Sequence, residues 1–514
     1  MASRRSGVMV PLFSLASSKS WGVGEFADLQ FVARWLQQAA QSFIQILPTT
    51  EIPVAETSPY SALTAMALDP IYISLPVVED FAALGGEKRL NEEDRSALES
   101  VRRSSRVDHR LIRRLKSRYL RASHAHFIAD DAASHGVRWQ QFADFVKEQE
   151  WWLEEYALFQ ALRQEHGLQP WWEWPPLLSQ RDPGALEAAR ERLQSEISYR
   201  RYVQWIADQQ WAAARADSRP LKVLGDVPFM ISADSPDVWT RQREFQFDAT
   251  VGVPPDAFSE TGQDWGLPPW RWEVMAADDF EWMKKRARRT AALFDGFRLD
   301  HLVGLYRTYV RPLDKTTNAF FAPAEEPLQR LLGERLVTIY KDTGAEIIAE
   351  DLGTVPDFVR ESLLKLGVPG FKVMRWERQW NVVGHPFVDP PTYPTTSVAT
   401  SGTHDIEPLA DWWQSAPEEE RRQMLAVPSV ARYLNQSTPP FDALLRGLLD
   451  AGSGMVIIPL QDVFGWTDRI NTPAVVSDEN WTWRVPWDVD RLDEIREAQE
   501  RAKALAEWTR ASGR

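Results

Sequence analysis

The sequence contains no cysteine among its 514 residues. Disulfide bonds and metal sites built on thiolates are therefore excluded. No apolar run approaches the ~18 residues that a membrane-spanning helix requires. The N-terminal stretch MASRRSGVMVPLFSL has two arginines, but its apolar part is short and is broken by Pro11. It does not read as a signal peptide, so we expect a cytoplasmic protein.

Acidic residues outnumber basic residues. The chain has 59 basic against 73 acidic residues, a formal charge of -14. Nucleic acids and anionic membranes reward clustered lysine and arginine, so neither is expected as a partner.

Aromatic residues, by contrast, are abundant, with 24 tryptophans and 23 phenylalanines. Tryptophan has a large flat apolar face with an N–H at its edge. Such faces suit sugar rings, whose axial C–H groups form an apolar side. The alternative is that the aromatic residues fill a large core, and we expect more than half of them to do so.

Short β-branched or apolar runs that end in a polar, proline or glycine residue alternate with helical patterns such as 279–294 and 355–367. This alternation indicates a parallel sheet, and near-continuous apolar strands indicate burial on both faces. Eight such units predict an α/β fold, the (β/α)8 or TIM barrel. The predicted strand regions are 42–51, 71–75, 221–229, 295–301, 346–353, 370–376, 397–405 and 455–462.

The spacing of these regions predicts three sections of chain. Residues 1–76 begin the barrel with its first two strands. Residues 77–220 are too long for one crossover helix and carry charged helical patterns, so we predict a mainly helical inserted subdomain. Residues 221–514 complete the barrel, with an insertion of loop character at about 230–278 on the active-site face, rich in proline, glycine and tryptophan.

The stretch FDGFRLDHLVG, residues 294–304, places charged side chains at the end of an apolar strand. Such charges are costly to bury unless they are paired or functional. In barrel enzymes the catalytic groups lie at the carboxyl ends of the strands, and that rule gathers a cluster that isolated ion pairs explain poorly. The cluster comprises Asp226, Arg298, Asp300, His301, Glu350, Asp351, His404 and Asp405.

Two carboxylates in different environments are what glycoside hydrolysis needs. Arg298 lies two residues before Asp300, on the same strand face, and a guanidinium favours the charged form that a nucleophile requires. Glu350 follows the apolar run EIIA, so desolvation is expected to raise its pKa toward that of a general acid. His404 and Asp405 could hold sugar hydroxyls and stabilise an oxocarbenium-like transition state.

A metal site is the rival use of such residues. Barrel metallohydrolases usually carry His-x-His at the end of the first strand, which here reads FIQILPTTE. The pair His124 and His126 falls in a helical stretch of the predicted insertion, where we expect surface decoration rather than a ligand pair. The isolated histidines are expected to be structural; they are His109, His135, His166 and His385.

The motifs also carry a family resemblance. The chain resembles the 4-alpha-glucanotransferases, the amylomaltase or disproportionating-enzyme family (glycoside hydrolase family 77, a branch of the α-amylase superfamily). The motifs occur in order along nearly the whole chain. They are KSWGVGEFADL, SPYSA, WLEEYALFQAL, GDVPF, VPPDAFSETGQDWGLPPW, GFRLDH, IIAEDLG, GTHD and NWTWRV.

The resemblance implies a nucleophile at Asp300, an acid/base at Glu350 and a transition-state-stabilising carboxylate at Asp405. It further implies a retaining double displacement on α-1,4-glucans and maltooligosaccharides, with glucose or an oligosaccharide as acceptor and no metal or organic cofactor. The loop 254–265 matches an element that covers the active site. The residues expected to bind substrate are Tyr60, Asp226, Asp256, Trp265, Arg298, His301 and His404.

Two departures from the family pattern lie near the expected substrate rim. Ile406-Glu407-Pro408 follows His-Asp, where the family usually has Asn and another acidic residue, and the segment 471–474 reads NTPA instead of the usual Asn-Leu-Pro-Gly-Thr. These departures are expected to affect chain-length preference and transfer efficiency rather than the catalytic chemistry. The alternatives are an α-glucan hydrolase using the same site, a non-catalytic glucan-binding protein and a metal-dependent barrel hydrolase.

Overall fold

Parallel strands close into a barrel in the computed structural model, which describes residues 4–132, 135–255, 262–314, 316–435 and 439–514. Around the barrel, in hydrogen-bonded order, the strands run β1-β12-β11-β10-β9-β6-β3-β2. The predicted TIM barrel is thereby confirmed. The strands are β1 (Arg5–Met9), β2 (Phe43–Gln45), β3 (Lys222–Val227), β4 (Ala249–Val253), β5 (Gln263–Leu267), β6 (Gly296–Leu299), β7 (Thr308–Pro312), β8 (Phe320–Ala322), β9 (Glu346–Ala349), β10 (Gly370–Val373), β11 (Ser397–Thr400) and β12 (Met455–Pro459).

One predicted strand region, 71–75, is wrong. It belongs to two short 3-10 turns, Pro70–Tyr72 and Leu75–Val77. A proline stands in the first turn of each, and the Asp69 carboxylate accepts a hydrogen bond from the Ile71 amide at 3.0 Å. Proline cannot donate to a strand ladder, so this apolar segment turns instead of pairing.

The strand that takes its place is β1, which the sequence analysis missed. It closes the barrel by pairing in parallel with both β12 and β2, with Val8 opposite Ile458 on one side and Ile44 on the other. Gly7 is required there because a Cβ at this position would overlap the ring of Phe43. Arg5, at the start of the strand, forms an ion pair with Glu346.

The chain from β2 to β3 is predominantly helical, and other helices separate the later barrel strands. Our division of the chain at residues 76 and 220 stays a prediction. The α-helices are α1 (Leu29–Gln38), α2 (Glu79–Ala83), α3 (Glu92–Arg103), α4 (His109–Phe127), α5 (Val137–Glu165), α6 (Pro176–Ser179), α7 (Pro183–Arg192), α8 (Gln194–Asp217), α9 (Pro236–Thr240), α10 (Trp272–Ala277), α11 (Glu281–Leu293), α12 (Val303–Tyr306), α13 (Glu326–Lys341), α14 (Asp357–Leu366), α15 (Leu409–Ser415), α16 (Glu418–Leu425), α17 (Pro428–Ala431), α18 (Pro440–Leu449), α19 (Leu460–Phe464) and α20 (Arg496–Ala511).

The prediction that the histidine pair on α4 decorates the surface is wrong. His124 is buried, with its Nε2 3.0 Å from the Ser198 hydroxyl and its ring against Tyr199. Nδ1 of His126 lies 3.0 Å from a carboxylate oxygen of the buried Asp80. Both side chains are tied into the packing between helices.

The insertion predicted as loop at 230–278 contains regular structure. Strands β4 and β5 from this region join β7 and β8 in an antiparallel sheet ordered β5-β4-β7-β8. Side chains and backbone of this sheet line the same cavity as the barrel's strand ends, so the sheet forms one wall of the cleft. In the parts of the chain that the structure describes, no helix is long and apolar enough to cross a membrane.

Candidate active site

The carboxyl ends of neighbouring barrel strands bring the predicted acidic residues together. Asp226 lies near the end of β3, Asp300 directly follows β6 and Glu350 directly follows β9. The ladder continues past the strands, because the amide of Asp300 donates to Val227 at 3.1 Å and that of Glu350 to Leu299 at 3.0 Å. These bonds fix the backbone that carries both carboxylates.

Arg298 is the centre of the cluster. Its guanidinium is only 5% exposed, and Nη1 donates to both carboxylate oxygens of Asp226 at 2.8 Å. Nη2 lies 2.8 Å from Oδ1 of Asp300 and 3.9 Å from Oε2 of Glu350. One nitrogen therefore lies close to both predicted catalytic carboxylates.

Glu350 is held from below by backbone donors. The amide of His301 donates to its Oε2 at 2.8 Å, and the amide of Leu352 donates to its Oε1 at 2.9 Å. His301, whose amide makes the first of these bonds, adopts a positive φ of 42°, a left-handed conformation that is uncommon outside glycine.

Burial raises the pKa of Glu350 to about 7, even though Arg298 acts in the opposite direction. The direction agrees with the expectation from the apolar run before it. A carboxyl group with this pKa can hold or release a proton near neutral pH. Burial also lowers the pKa of His301 to about 4, so its imidazole is neutral at pH 7.

Asp405 lies in a different environment. Burial would raise its pKa, but the adjacent His404 and a hydrogen bond from Asn471 outweigh that effect and lower the pKa to about 2. Nε2 of His404 lies 3.2 Å from Oδ2 of Asp405, and the Asn471 amide donates to Oδ1 at 2.7 Å. The carboxylate is therefore anionic at neutral pH, and 43% of its side chain is exposed.

Tyr60 joins the two halves of the cluster. Its hydroxyl donates to Asp226 at 2.7 Å and lies 3.3 Å from Nδ1 of His404. Its ring stacks on the His404 imidazole with centroids 4.8 Å apart. Burial raises the pKa of Asp226 to about 6, with Arg298 acting in the opposite direction, so this residue is mostly ionised at pH 7.

A cavity of about 740 Å³ opens above these groups. Trp265 of β5 is half-buried at its wall and meets the His301 ring edge-on at 4.9 Å between centroids. Phe229 packs against the same two rings. A cavity lined by both charged groups and aromatic faces suits a sugar ligand, which has hydroxyls to bind and apolar C–H faces to cover.

The structure places the predicted site residues as follows. Asp226 lies beneath Arg298, and Asp256 lies outside the described residues. Asp351, which the strand-end rule had added to the rim, turns away and accepts a hydrogen bond from the Phe371 amide at 2.7 Å. Those that line the cavity are Tyr60, Trp265, Arg298, Asp300, His301, Glu350, His404 and Asp405.

Sequence reasoning missed several residues of the cavity wall, including Phe229, Trp376 and Trp481. Asn471, which is part of one departure from the family pattern, reaches Asp405, a contact that the sequence did not predict. The two departures do lie at the cavity, since Ile406 and Ala474 line it. Glu407 pairs with the buried Arg375 at 3.3 Å.

Among the residues that the structure describes, no group of three histidine, aspartate or glutamate side chains could hold a metal ion. The cleft instead pairs its carboxylates with a guanidinium and backbone amides. This arrangement suits acid–base and nucleophilic chemistry at a sugar.

Comparison with known proteins identifies the family. The sequence profile of glycoside hydrolase family 77, 4-alpha-glucanotransferase, matches residues 10–490. The chain belongs to the 4-alpha-glucanotransferase family. It is 31% identical over 511 residues to the 4-alpha-glucanotransferase of Thermus thermophilus, covering 94% of this chain and 96% of that protein. It is 29% identical over 505 residues to that of Chlamydia caviae, covering 95% and 92%.

The structure agrees with the sequences. It superposes on the amylomaltase from Streptococcus agalactiae, solved in complex with acarbose, with a TM-score of 0.84 and 26% identity over 99% of both chains. The predicted family, fold and enzyme class are thereby confirmed: the enzyme is a 4-alpha-glucanotransferase.

Proposed function

We propose that Asp300 is the nucleophile of a retaining double displacement on α-1,4-glucans. Its carboxylate attacks the anomeric carbon of the donor and forms a covalent glucosyl-enzyme ester. Arg298 supports this role by contacting Asp300 at 2.8 Å from a buried position that two further bonds to Asp226 make rigid.

Glu350 is the acid and then the base. In the first step it protonates the glycosidic oxygen of the departing chain, and in the second it takes the proton from the 4-hydroxyl of an acceptor sugar. A pKa raised to about 7 by burial suits both directions of proton transfer. The acceptor is glucose or an oligosaccharide, and the reaction needs no metal or organic cofactor.

Asp405 stabilises the positive charge that develops on the sugar ring. His404 and Asn471 outweigh the effect of burial and lower its pKa to about 2. The carboxylate therefore stays anionic during turnover. Tyr60, His404 and His301 line the same cavity and hold sugar hydroxyls in this proposal, and Trp265 offers an aromatic face. We include Asp256 among the substrate-binding residues, and Asp226 as the buried carboxylate that positions Tyr60 and Arg298 for substrate binding.

The observation that carries this proposal is the sharing of one guanidinium nitrogen, Nη2 of Arg298, by Asp300 and Glu350. Retaining enzymes hold their two carboxyl groups about 5–5.5 Å apart, whereas inverting enzymes leave ~6.5–9.5 Å for a water molecule. Two carboxylates that approach one nitrogen fit the shorter spacing.

Maltotriose is the substrate that tests the proposal. Transfer converts it into glucose and a ladder of longer oligomers, whereas hydrolysis yields only shorter sugars and new reducing ends. Products resolved by chain length distinguish the two, and binding without turnover would indicate a non-catalytic glucan-binding protein. We further propose a cytoplasmic location, and the formal charge of -14 supports a protein without nucleic-acid or membrane partners.

A further inference from the structure

Exposed aromatic rings lie beside the cleft, outside its lining. Trp172 is 51% exposed and Phe247 is 45% exposed. Both pack edge-on against the buried Trp171, with centroids at 5.6 Å and 5.9 Å. Single exposed apolar residues are ordinary, but two large exposed rings packed on a third form a local apolar cluster of the kind that binding sites use. We call Trp171, Trp172 and Phe247 the aromatic platform.

The platform is fixed to the edge of the cleft. Ser232 lines the cavity, and the next two residues bind Trp171. The indole N–H of Trp171 donates to the Ala233 carbonyl at 2.8 Å, and its amide donates to the Asp234 carboxylate at 3.2 Å. Since consecutive Cα atoms are about 3.8 Å apart, Trp171 is anchored within about 10 Å of the cavity wall.

Phe247 approaches from the neighbouring wall. It lies two residues before β4, whose Gly252 and Val253 line the cavity. The chain on either side of it is held in place, because the Gln246 amide donates to the Pro269 carbonyl at 2.9 Å and the Asp248 carbonyl accepts from the Leu313 amide at 2.9 Å. Its exposed ring is thus presented by a fixed backbone.

The platform is also preorganised on its other side. Asp234 pairs with Arg163 of α5 at 3.0 Å, and Trp174 is buried with its indole N–H donating to the Gln169 carbonyl at 3.0 Å. A rigid loop that leaves Trp172 exposed has little entropy to lose when a ligand covers the ring.

We propose that the aromatic platform binds the part of a long α-1,4-glucan chain that extends beyond the cleft. Glucose rings present apolar C–H faces that stack on flat aromatic rings. The exposed carboxylates of Glu173 and Asp248, each next to a platform ring in the chain, are available to accept hydrogen bonds from hydroxyls. This inference rests on the proposed function, because it takes the occupant of the cleft to be a glucan.

Selective loss of long-chain binding tests the platform. The double variant Trp172→Ala/Phe247→Ala is expected to bind glycogen about tenfold more weakly, equivalent to ~1.4 kcal/mol. Its initial rate of maltotriose disproportionation is expected to stay unchanged, because a trisaccharide is held in the cleft. Affinity electrophoresis in gels containing glycogen measures the first effect, and chromatography of the products measures the second. Trp172→Tyr, which keeps a flat ring, should retain most of the glycogen affinity.

Trp151→Ala is the matched control, since it removes a tryptophan 37% exposed on α5 that is not part of the cavity lining. Equal glycogen affinity in the double variant and the wild type would overturn the platform while leaving the proposed function intact. A change of oligomeric state without a change in glycogen affinity would also overturn it and indicate a protein contact. A wild-type enzyme that binds glycogen through the platform but leaves maltotriose unchanged would instead refute the proposed function.

Discussion

Asp300 and Glu350 contact the same guanidinium, but replacing each of them is expected to affect activity in a different way. Asp300→Asn should lower the transfer rate by several orders of magnitude on every donor, since no neighbouring group can form the ester. Glu350→Gln should be as damaging with maltooligosaccharides, yet milder with a donor whose activated leaving group needs no proton. Rates of the two variants on both donors measure this, and equal losses of Glu350→Gln on both would contradict the acid role.

The pH dependence of kcat/KM should reflect the ionisation of Glu350. Glu350 must be protonated to act as the acid, and its pKa is raised by burial to about 7. We therefore expect kcat/KM on maltotriose to fall as pH rises above about 7, because kcat/KM follows ionisations of the free enzyme. Asp405 has a pKa lowered to about 2, so its ionisation does not change the rate near neutral pH. A profile that stays level to pH 9 would argue against this assignment.

Asn471 is expected to stabilise the anionic form of Asp405. Its amide donates to the carboxylate at 2.7 Å, and a hydrogen bond to a charged group contributes ~1.5–3 kcal/mol. Asn471→Ala should lower kcat/KM for transfer about tenfold or more. Asn471→Asp should cost more, because a second negative charge disfavours the anionic form of Asp405. Steady-state kinetics compare the two, and a milder effect of the aspartate would contradict this role.

Residues at strand ends could be predicted because the barrel rule converts a position in the chain into a position in space. Asp300 and Glu350 directly follow apolar runs, and their meeting at Arg298 needed no further information. Asn471 could not be found this way. It lies on an irregular segment 66 positions after Asp405 and reaches the carboxylate only through tertiary folding.

At the scale of elements, the β5-β4-β7-β8 sheet brings Trp265 to the cavity wall. If this tryptophan shields the glucosyl-enzyme and helps to seat the acceptor, Trp265→Ala should admit water to the ester. Transfer should then fall while hydrolysis holds or rises, so the ratio of free glucose to longer oligomers increases. Trp265→Phe keeps an aromatic face and should change the ratio less. Residues 256–261 of the same connection lie outside the described residues, so this prediction rests on Trp265 alone.

Product analysis of maltotriose digests gives that ratio directly. A matched fall in transfer and hydrolysis would mean that Trp265 supports donor binding or folding, since its ring also contacts His301 and Phe229.

The barrel count was predictable, but the identity of every strand was not. Residues 71–75 look like a strand by composition, yet flanking prolines direct them into 3-10 turns. The strand β1 begins with Arg5 and Ser6, which hide its apolar pattern, and its partner β12 lies at the other end of the chain. Pairing between such distant segments leaves little local signal, because the barrel closes only when both are in place.

At the scale of the whole molecule, a buried ion pair joins the helical chain between β2 and β3 to the start of the barrel. Lys116 of α4 lies 2.6 Å from Glu25, and both side chains are almost completely buried. Lys116 also donates to the carbonyl groups of Ile71 and Ile73 at 2.6 and 2.8 Å. Burial lowers the pKa of Lys116, with the Glu25 carboxylate opposing that shift.

Removing the lysine alone should be strongly destabilising, because Glu25 would remain buried without its counter-charge. We expect Lys116→Met to lower the free energy of unfolding by ~3–5 kcal/mol, measured by chemical denaturation. Arg121→Met on the same helix is the matched control. Its ion pair with Glu196 is partly exposed, so the cost should be only ~0–1 kcal/mol. The double variant Lys116→Met/Glu25→Gln should recover part of the loss, because it removes the uncompensated charge. If Lys116→Met costs no more than Arg121→Met, this pair does not hold the helical chain to the barrel.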